Sequence, residues 1–292
     1  RFDLLMEARG HYLDADDLDA AAAVTARISG YLRRRGHHRE LIRLNLEIFD
    51  LQPQSASSAA WIAQAALDQG EHRKAAEWYR KALQISIDPA FYHGLGLALL
   101  GEAKLDQAKE AFQKAVDAYR GSGDLSGEAA SLAQLAEIDL KMGEQGAAIL
   151  RLERVMEIMR LLGDLSGEAA VLQEAARLEM AGGNHDSARG RIVRSLELLE
   201  NAKDERGASF ALFNLASLDL EKGDFTAAAA EFTRVLPRFR EVDDQAAVAA
   251  ILHSLGLIHS QAGEKEAAAK SFKESLLINQ SLADRAAEAG AF

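Results

Sequence analysis

The 292-residue chain contains no cysteine, three prolines, and aromatic residues at only 6% of its length. Without cysteine there is neither a disulfide nor a thiolate metal site, and the composition suits a reducing compartment. Scarce proline leaves long stretches free of the residue that breaks helices. No apolar run approaches the roughly 18 residues of a membrane span, and no signal-peptide pattern opens the chain, so a soluble, cytoplasmic protein with no membrane partner is expected. Positive charge is also in deficit: 34 Lys and Arg against 45 Asp and Glu give a formal net charge of −11. That balance disfavours nucleic acid as a partner, because such binding draws most of its free energy from cations neutralising phosphates. The one basic cluster, Arg33, Arg34, Arg35, His37, His38 and Arg39, has no interleaved aromatics for base stacking and reads as a solvated helix end.

Signatures of chemistry are missing as well. The chain has no HExxH, no GxSxG, no nucleotide loop of the form GxxxxGKS/T, and no metal-ligand spacing among its eight histidines. The run GLGLALLG from Gly94 to Gly101 resembles a phosphate loop in its letters, but it lies inside a helical pattern with no preceding strand. His37 and His38 read as an exposed turn pair. No enzyme, no cofactor and no metal is therefore expected.

What the chain does have is repetition. Asp124, Asp164, Asp204 and Asp244 stand 40 residues apart, and Asp284 continues the series. A fixed period of a few tens of residues marks one supersecondary unit stacked many times. The units open DLSGEAAS, DLSGEAAV, DERGASFA and DQAAVAAI, and each reads as a helical hairpin. The leading Asp is placed to cap the first helix, and Gly143, Gly183, Gly223 and Gly263 to end it in the left-handed conformation. Ala148, Ala188, Ala228 and Ala268 recur near the start of the second helix, where only a small side chain lets the two helices approach. Towards the N-terminus, periodic Leu, Ile and Ala predict helices over about 2–15, 17–35 and 38–51, with Gly36 and Pro53 as punctuation. The expected organisation is a divergent helical cap over 1–54, two shorter repeats over 55–123, four 40-residue repeats over 124–283, and the start of a truncated repeat over 284–292. The chain thus reads as a piece of a longer one. Asp139, Glu179 and Asp219 also recur at 40, with Arg154, Arg194 and Arg234 fifteen residues after each, and His259 and Glu274 in the last unit. That spacing predicts a ladder of ion pairs between helices.

The finer motifs carry a family resemblance. Tyr92-x2-Leu95-Gly96-x2-Leu99, followed by Ala108-x3-Phe112, resembles the tetratricopeptide repeat (TPR) family. Ala75-x3-Tyr79, Ala228-x3-Phe232 and Ala268-x3-Phe272 repeat the second half of the motif, and Leu255-Gly256 repeats the first. Leu152 and Ile192 depart from it where an aromatic would stand. The resemblance covers about residues 17–292 and implies an all-α protein, a right-handed α-solenoid of stacked helical hairpins forming a TPR-like superhelix. The longer units are similar to arrays in scaffold proteins of the spindle-orientation and kinesin light chain type, and to the C-terminal arms of bacterial signalling ATPases. The first likeness implies a scaffold that holds a peptide or protein partner in a concave groove. The alternative it leaves open is a ligand-sensing or autoinhibitory arm of a larger multidomain ATPase or protease, partnered by other domains of its parent chain.

Candidate groove residues follow from the first helices, which line the concave side of such stacks. Phe210, Phe213, Asn214 and Ser217 share one helix face by their i, i+3, i+4, i+7 spacing. Matching positions hold Gln134 and Glu137 in one repeat, Gln173 and Arg177 in the next, and His253 and Leu257 in the last. Aromatics rimmed by polar groups often carry binding energy, and amides suit a peptide backbone. Two placements of Phe210 and Phe213 remain open at this level, in the groove or in hairpin packing.

Overall fold

The structure, a computed structural model, describes the backbone of residues 2–289 and the side chains of residues 2–283. The described residues form fifteen α-helices and no strand. They divide into two units, Arg1–Arg154 and Val155–Phe292. The first holds α1 (Phe2–Asp14), α2 (Leu18–Arg34), α3 (His38–Leu51), α4 (Ala56–Asp68), α5 (His72–Ile85), α6 (Pro89–Gly101), α7 (Leu105–Ser122) and α8 (Leu125–Lys141). Helix α9 (Gln145–Leu162) crosses the boundary, and the second unit continues with α10 (Leu165–Ala181), α11 (His185–Asn201), α12 (Glu205–Glu221), α13 (Phe225–Glu241), α14 (Gln245–Gln261) and α15 (Lys265–Ala289). The three N-terminal helices fall where the apolar periodicity placed them.

Each hairpin is punctuated as its sequence requires. The carboxylates of Asp124, Asp164, Asp204 and Asp244 accept from the backbone amides of Gly127, Gly167, Gly207 and Ala247 at 2.8–3.0 Å. Each such cap is worth about 1 kcal/mol. Gly143, Gly183, Gly223 and Gly263 turn the chain with φ of 77–81°. The residue before each capping Asp is left-handed too, held by Gly123 and Gly163 and then by Lys203 and Asp243. Position 283 is an alanine, which favours helix over the left-handed region. The expected new repeat at Asp284 accordingly does not begin there: α15 runs unbroken to Ala289, and residues 290–292 lie outside the described ones.

Within each unit, successive helices pack on one another, and the first helices of adjoining hairpins also touch: α2 with α4, α4 with α6, α6 with α8, and separately α10 with α12 and α12 with α14. Among the described residues, the second helices, α3, α5 and α7 in one unit and α11, α13 and α15 in the other, make no such contact with one another. Closer spacing of the first helices puts them on the inner side of each stack. Ala148, Ala188 and Ala228 are fully buried, so their small size is what sets the distance between helices.

The acidic repeat pairs differently from the expected ladder. Asp139, fully buried, receives Arg151 at 2.5 Å and Lys109 at 2.7 Å. Glu179 takes Arg191 at 2.9 Å, and Asp219 takes Arg189. Arg154 turns instead to Glu128 at 3.1 Å, Arg194 to Glu197 and Arg234 to Glu231, each at 2.9 Å. The reason is axial: a residue fifteen places on lies about 4.5 Å further from the hairpin turn than one twelve places on, beyond reach of the acid. Glu128 and Glu168 are buried as well. Arg120 reaches Glu128 at 2.9 Å, and Arg160 reaches Glu168 at 2.6 Å. Burial alone would push the Glu128 carboxyl up, but hydrogen bonds from Arg154 and Arg120 outweigh it and hold the group below the ordinary carboxylate range.

Three outcomes test this packing. Ala228→Leu is expected to lower stability by about 1–3 kcal/mol in a denaturant titration, through overpacking. A double-mutant cycle between Asp219 and Arg189 is expected to show coupling, while Asp219 and Arg234 show none. The folded Glu128 carboxyl titrates below the unfolded value of about 4.3, so its stabilisation is present above that pH and lost as pH falls through the lower, folded value. The urea midpoints of the parent and Glu128→Gln are therefore expected to converge as the solution is taken below about pH 4.

Candidate functional site

Between α10 and α12, on the inner side of the second unit, lies a cleft of about 390 Å³. Helix α10 contributes Gln173, Glu174 and Arg177, helix α12 contributes Phe210 and Asn214, and Ala176 and Ile192 lie buried beneath. Spacing on each helix explains the convergence, since residues three and four apart share a face. The amides meet across the cleft: Asn214 Nδ2 donates to Gln173 Oε1 at 3.2 Å, and Gln173 Nε2 donates to Ser195 Oγ at 3.1 Å. Ser195 is anchored in turn on the Ala169 carbonyl at 3.1 Å. Glu174 and Arg177 form a two-pronged pair at 3.0 and 2.5 Å, and those hydrogen bonds hold the guanidinium above its usual pKa.

The two phenylalanines divide between the placements open to them. Phe213 packs into its own hairpin, edge-on to Phe232 and Phe239 at 5.8 and 6.3 Å. Phe210 stands edge-on to Phe239 at 4.9 Å while its ring lines the cleft. Ser217 donates back to the Phe213 carbonyl at 2.9 Å and does not line the cleft. On α14, Leu257 is 43% exposed and His253 lies 5.4 Å from the Phe272 ring. In the first unit, Glu137 on α8 is paired with Lys141 at 2.7 Å, and Gln134 is half-buried. Four of the ten expected residues, Gln173, Arg177, Phe210 and Asn214, thus share one cleft.

The first unit has a cleft that sequence reasoning passed over. About 340 Å³ in volume, it is lined by Trp61 and Gln64 of α4, Tyr79 of α5 and Phe91 of α6, with Arg33 and Asp88 at its edges. The Tyr79 hydroxyl donates to Gln64 Oε1 at 3.1 Å, and burial pushes its pKa well above the ordinary phenol value. Arg33 is clamped by Asp68 at 2.6 and 3.0 Å. Half-exposed Trp61 and Phe91, 30 residues apart on successive first helices, were the available signal. Among the described residues, no group of three or more His, Asp or Glu is placed to hold a metal ion, and no helix is long and apolar enough to cross a membrane.

Comparison with known proteins agrees with this architecture. No curated protein matches the chain in sequence. Among solved structures, the C-terminal part of a TPR repeat-containing protein from Cytophaga hutchinsonii superposes with a TM-score of 0.70 at 13% identity, over 87% of this chain and 95% of that one. A signal transduction ATPase with numerous domains and a tetratricopeptide repeat sensor, from Pyrococcus horikoshii, gives 0.68 at 15% identity, over 96% of this chain and 46% of that one. YrrB, described as a TPR protein with an unusual peptide-binding site, gives 0.53 at 15% identity, over 70% of this chain and 97% of that one. At these identities the likeness shows the fold alone. Tetratricopeptide repeat models match residues 56–86, 89–161 and 211–281, and with motif, hairpin and packing in agreement the chain belongs to the tetratricopeptide repeat family.

Proposed function

We propose that this chain binds an extended peptide segment of a protein partner across its first helices, with the cleft between α10 and α12 as the principal contact. At the general level the tetratricopeptide fold supports a protein-interaction scaffold. The observation that carries the finer reading is the convergence of Gln173, Arg177, Phe210 and Asn214 on one cleft. Its chemistry matches a peptide: Phe210 offers an apolar face, and the Asn214 and Gln173 amides keep spare donor and acceptor capacity for backbone groups. Arg177, already neutralised by Glu174, adds direction without a net charge. The peptide-binding site named for YrrB, a protein of the same fold, also supports this reading.

A second reading makes the chain the ligand-sensing arm of a larger signalling ATPase. The superposition over 96% of this chain on the Pyrococcus horikoshii ATPase favours it. A nucleotide-binding module encoded in the same reading frame would support that arrangement, and a frame without one would remove it.

Peptides selected by phage display on the chain provide the test of the groove. Their affinity is expected to fall at least about tenfold in a Gln173→Ala, Asn214→Ala variant of unchanged helicity, the loss of two good hydrogen bonds. Selected peptides that bind the variant as well as the parent would place recognition elsewhere.

A further inference from the structure

One repeat has lost a buried carboxylate and kept its arginine. Four residues after the capping Asp, the first two 40-residue repeats carry Glu128 and Glu168, both buried against arginines. The third carries Ala208 there, yet Arg234 stands at the position that Arg154 uses to reach Glu128. In the fourth, Val248 fills the position and the arginine is replaced by Glu274, which pairs with Arg240 at 2.5 Å. Only the third combines the small residue with the retained cation. Where the glutamate would lie, a cavity of about 390 Å³ opens, floored by Leu199, Ala208 and Leu212 and edged by Lys203, Arg234 and Arg238.

The charges of this cavity are poorly satisfied from within. Among the described residues Arg234 forms an ion pair with Glu231 alone, three residues earlier on its own helix, and more than half of its side chain is exposed. The side chains of Arg238 and Lys203 have no hydrogen bond or ion pair among the described residues. Asp204 already spends one carboxylate oxygen on the Gly207 amide at 2.8 Å. Glu200, in the place of Arg120 and Arg160, and Glu205 line the same cavity, so an entering anion meets them as like charges set against Lys203, Arg234 and Arg238.

We propose that this cavity binds a glutamate or aspartate side chain presented on a peptide segment of a partner protein, the incoming carboxylate taking the place that Glu128 and Glu168 fill from within in the other repeats. Two guanidinium groups one helical turn apart can each donate to a carboxylate oxygen. The leucines receive the methylene stem and its apolar neighbours, and the volume exceeds what an isolated ion would use. The site is separate from the groove: positions 208 and 212 lie about 200° around α12 from 210 and 214.

The experiment is an NMR titration of the arginine side-chain Nε–Hε signals in the full chain. The probes are an end-blocked pentapeptide of alanine and leucine with one central glutamate, its glutamine counterpart, and acetate. Saturable shifts at Arg234 and Arg238 with the glutamate peptide are expected, at least about tenfold weaker for the glutamine peptide and for the Arg234→Gln chain. Ala208→Glu, which restores the internal carboxylate, is expected to abolish binding, and Glu200→Gln to tighten it. Should Ala208→Glu fail to fold, Arg238→Gln on the exposed helix face replaces it, with weakened binding expected. Gln173→Ala, Asn214→Ala leaves this titration unchanged, which separates its failure from that of the groove. The proposal is overturned by the absence of saturable shifts, by equal binding of the glutamine peptide, by unaltered binding in Arg234→Gln or Arg238→Gln, or by binding that survives Ala208→Glu. Acetate binding as tightly as the peptide would assign the cavity to free small acids and overturn the partner segment.

Discussion

From α6 onwards, the hairpins of this protein depend on two helices coming close at one point, where a small residue of the first faces a large residue sixteen places on in the second. A methyl group on Gly96 would stand 2.8 Å from the Phe112 ring, and one on Gly256 would stand 2.6 Å from Phe272, closer than real side chains approach. Alanine takes the small position at 136, 176 and 216, opposite Leu152, Ile192 and Phe232. All of these are buried apart from half-buried Phe272, and burying each large side chain contributes about 1.5–3 kcal/mol. The contact also fixes helix rotation. Once Gly96 or Ala216 must face the partner helix, the period of 3.6 decides which residues are left facing the inner side of the stack.

Charge fills what apolar packing leaves. With alanine at so many interior positions, the hairpins have little apolar bulk near their ends, and there Asp139, Glu128, Glu168 and Glu179 are buried against arginines and, for Asp139, a lysine. A buried carboxylate is tolerable only when such partners replace its water. Each acid therefore commits a basic residue to one geometry, and a repeat that changes the acid must also change or release its base. The fourth repeat changed both, with Val248 and the Arg240–Glu274 pair, whereas the third lost the acid and has Glu200 where Arg120 and Arg160 stand, yet kept Arg234.

Architecture was legible because its determinants are local. Capping Asp, terminal Gly and interior Ala act within a few residues of where they stand, so period and hairpin could be read directly, and the caps of Asp124, Asp164, Asp204 and Asp244 formed as the letters implied. Pairing between helices was not legible, because it depends on axial offset: Arg151 and Arg154 look equivalent in sequence, yet only the former reaches Asp139. A repeat start at Asp284 is not seen for a related reason. Asp284 has the cap's identity but lacks the left-handed residue before it, and a capping Asp without that turn remains inside a helix. Half of the candidate cleft was visible as a helix face on α10 and half on α12. That the two faces meet needs the contact between first helices, which no single repeat encodes.

A stack of like hairpins separates the residues that make the fold from those free to vary, so departures from the repeat are informative. On α12 several coincide. Phe210 and Phe213 replace small or polar side chains of the neighbouring repeats, and Ala208 replaces a buried glutamate. None is needed for the hairpin to form, since α10 forms the same helix without them. Phe213 is accounted for by packing on Phe232 and Phe239. Phe210 packs on Phe239 as well but also leaves its ring on a cleft, and Ala208 leaves an arginine without an inner carboxylate. Helix α12 thus departs from the repeat on two faces and lines a cleft with each.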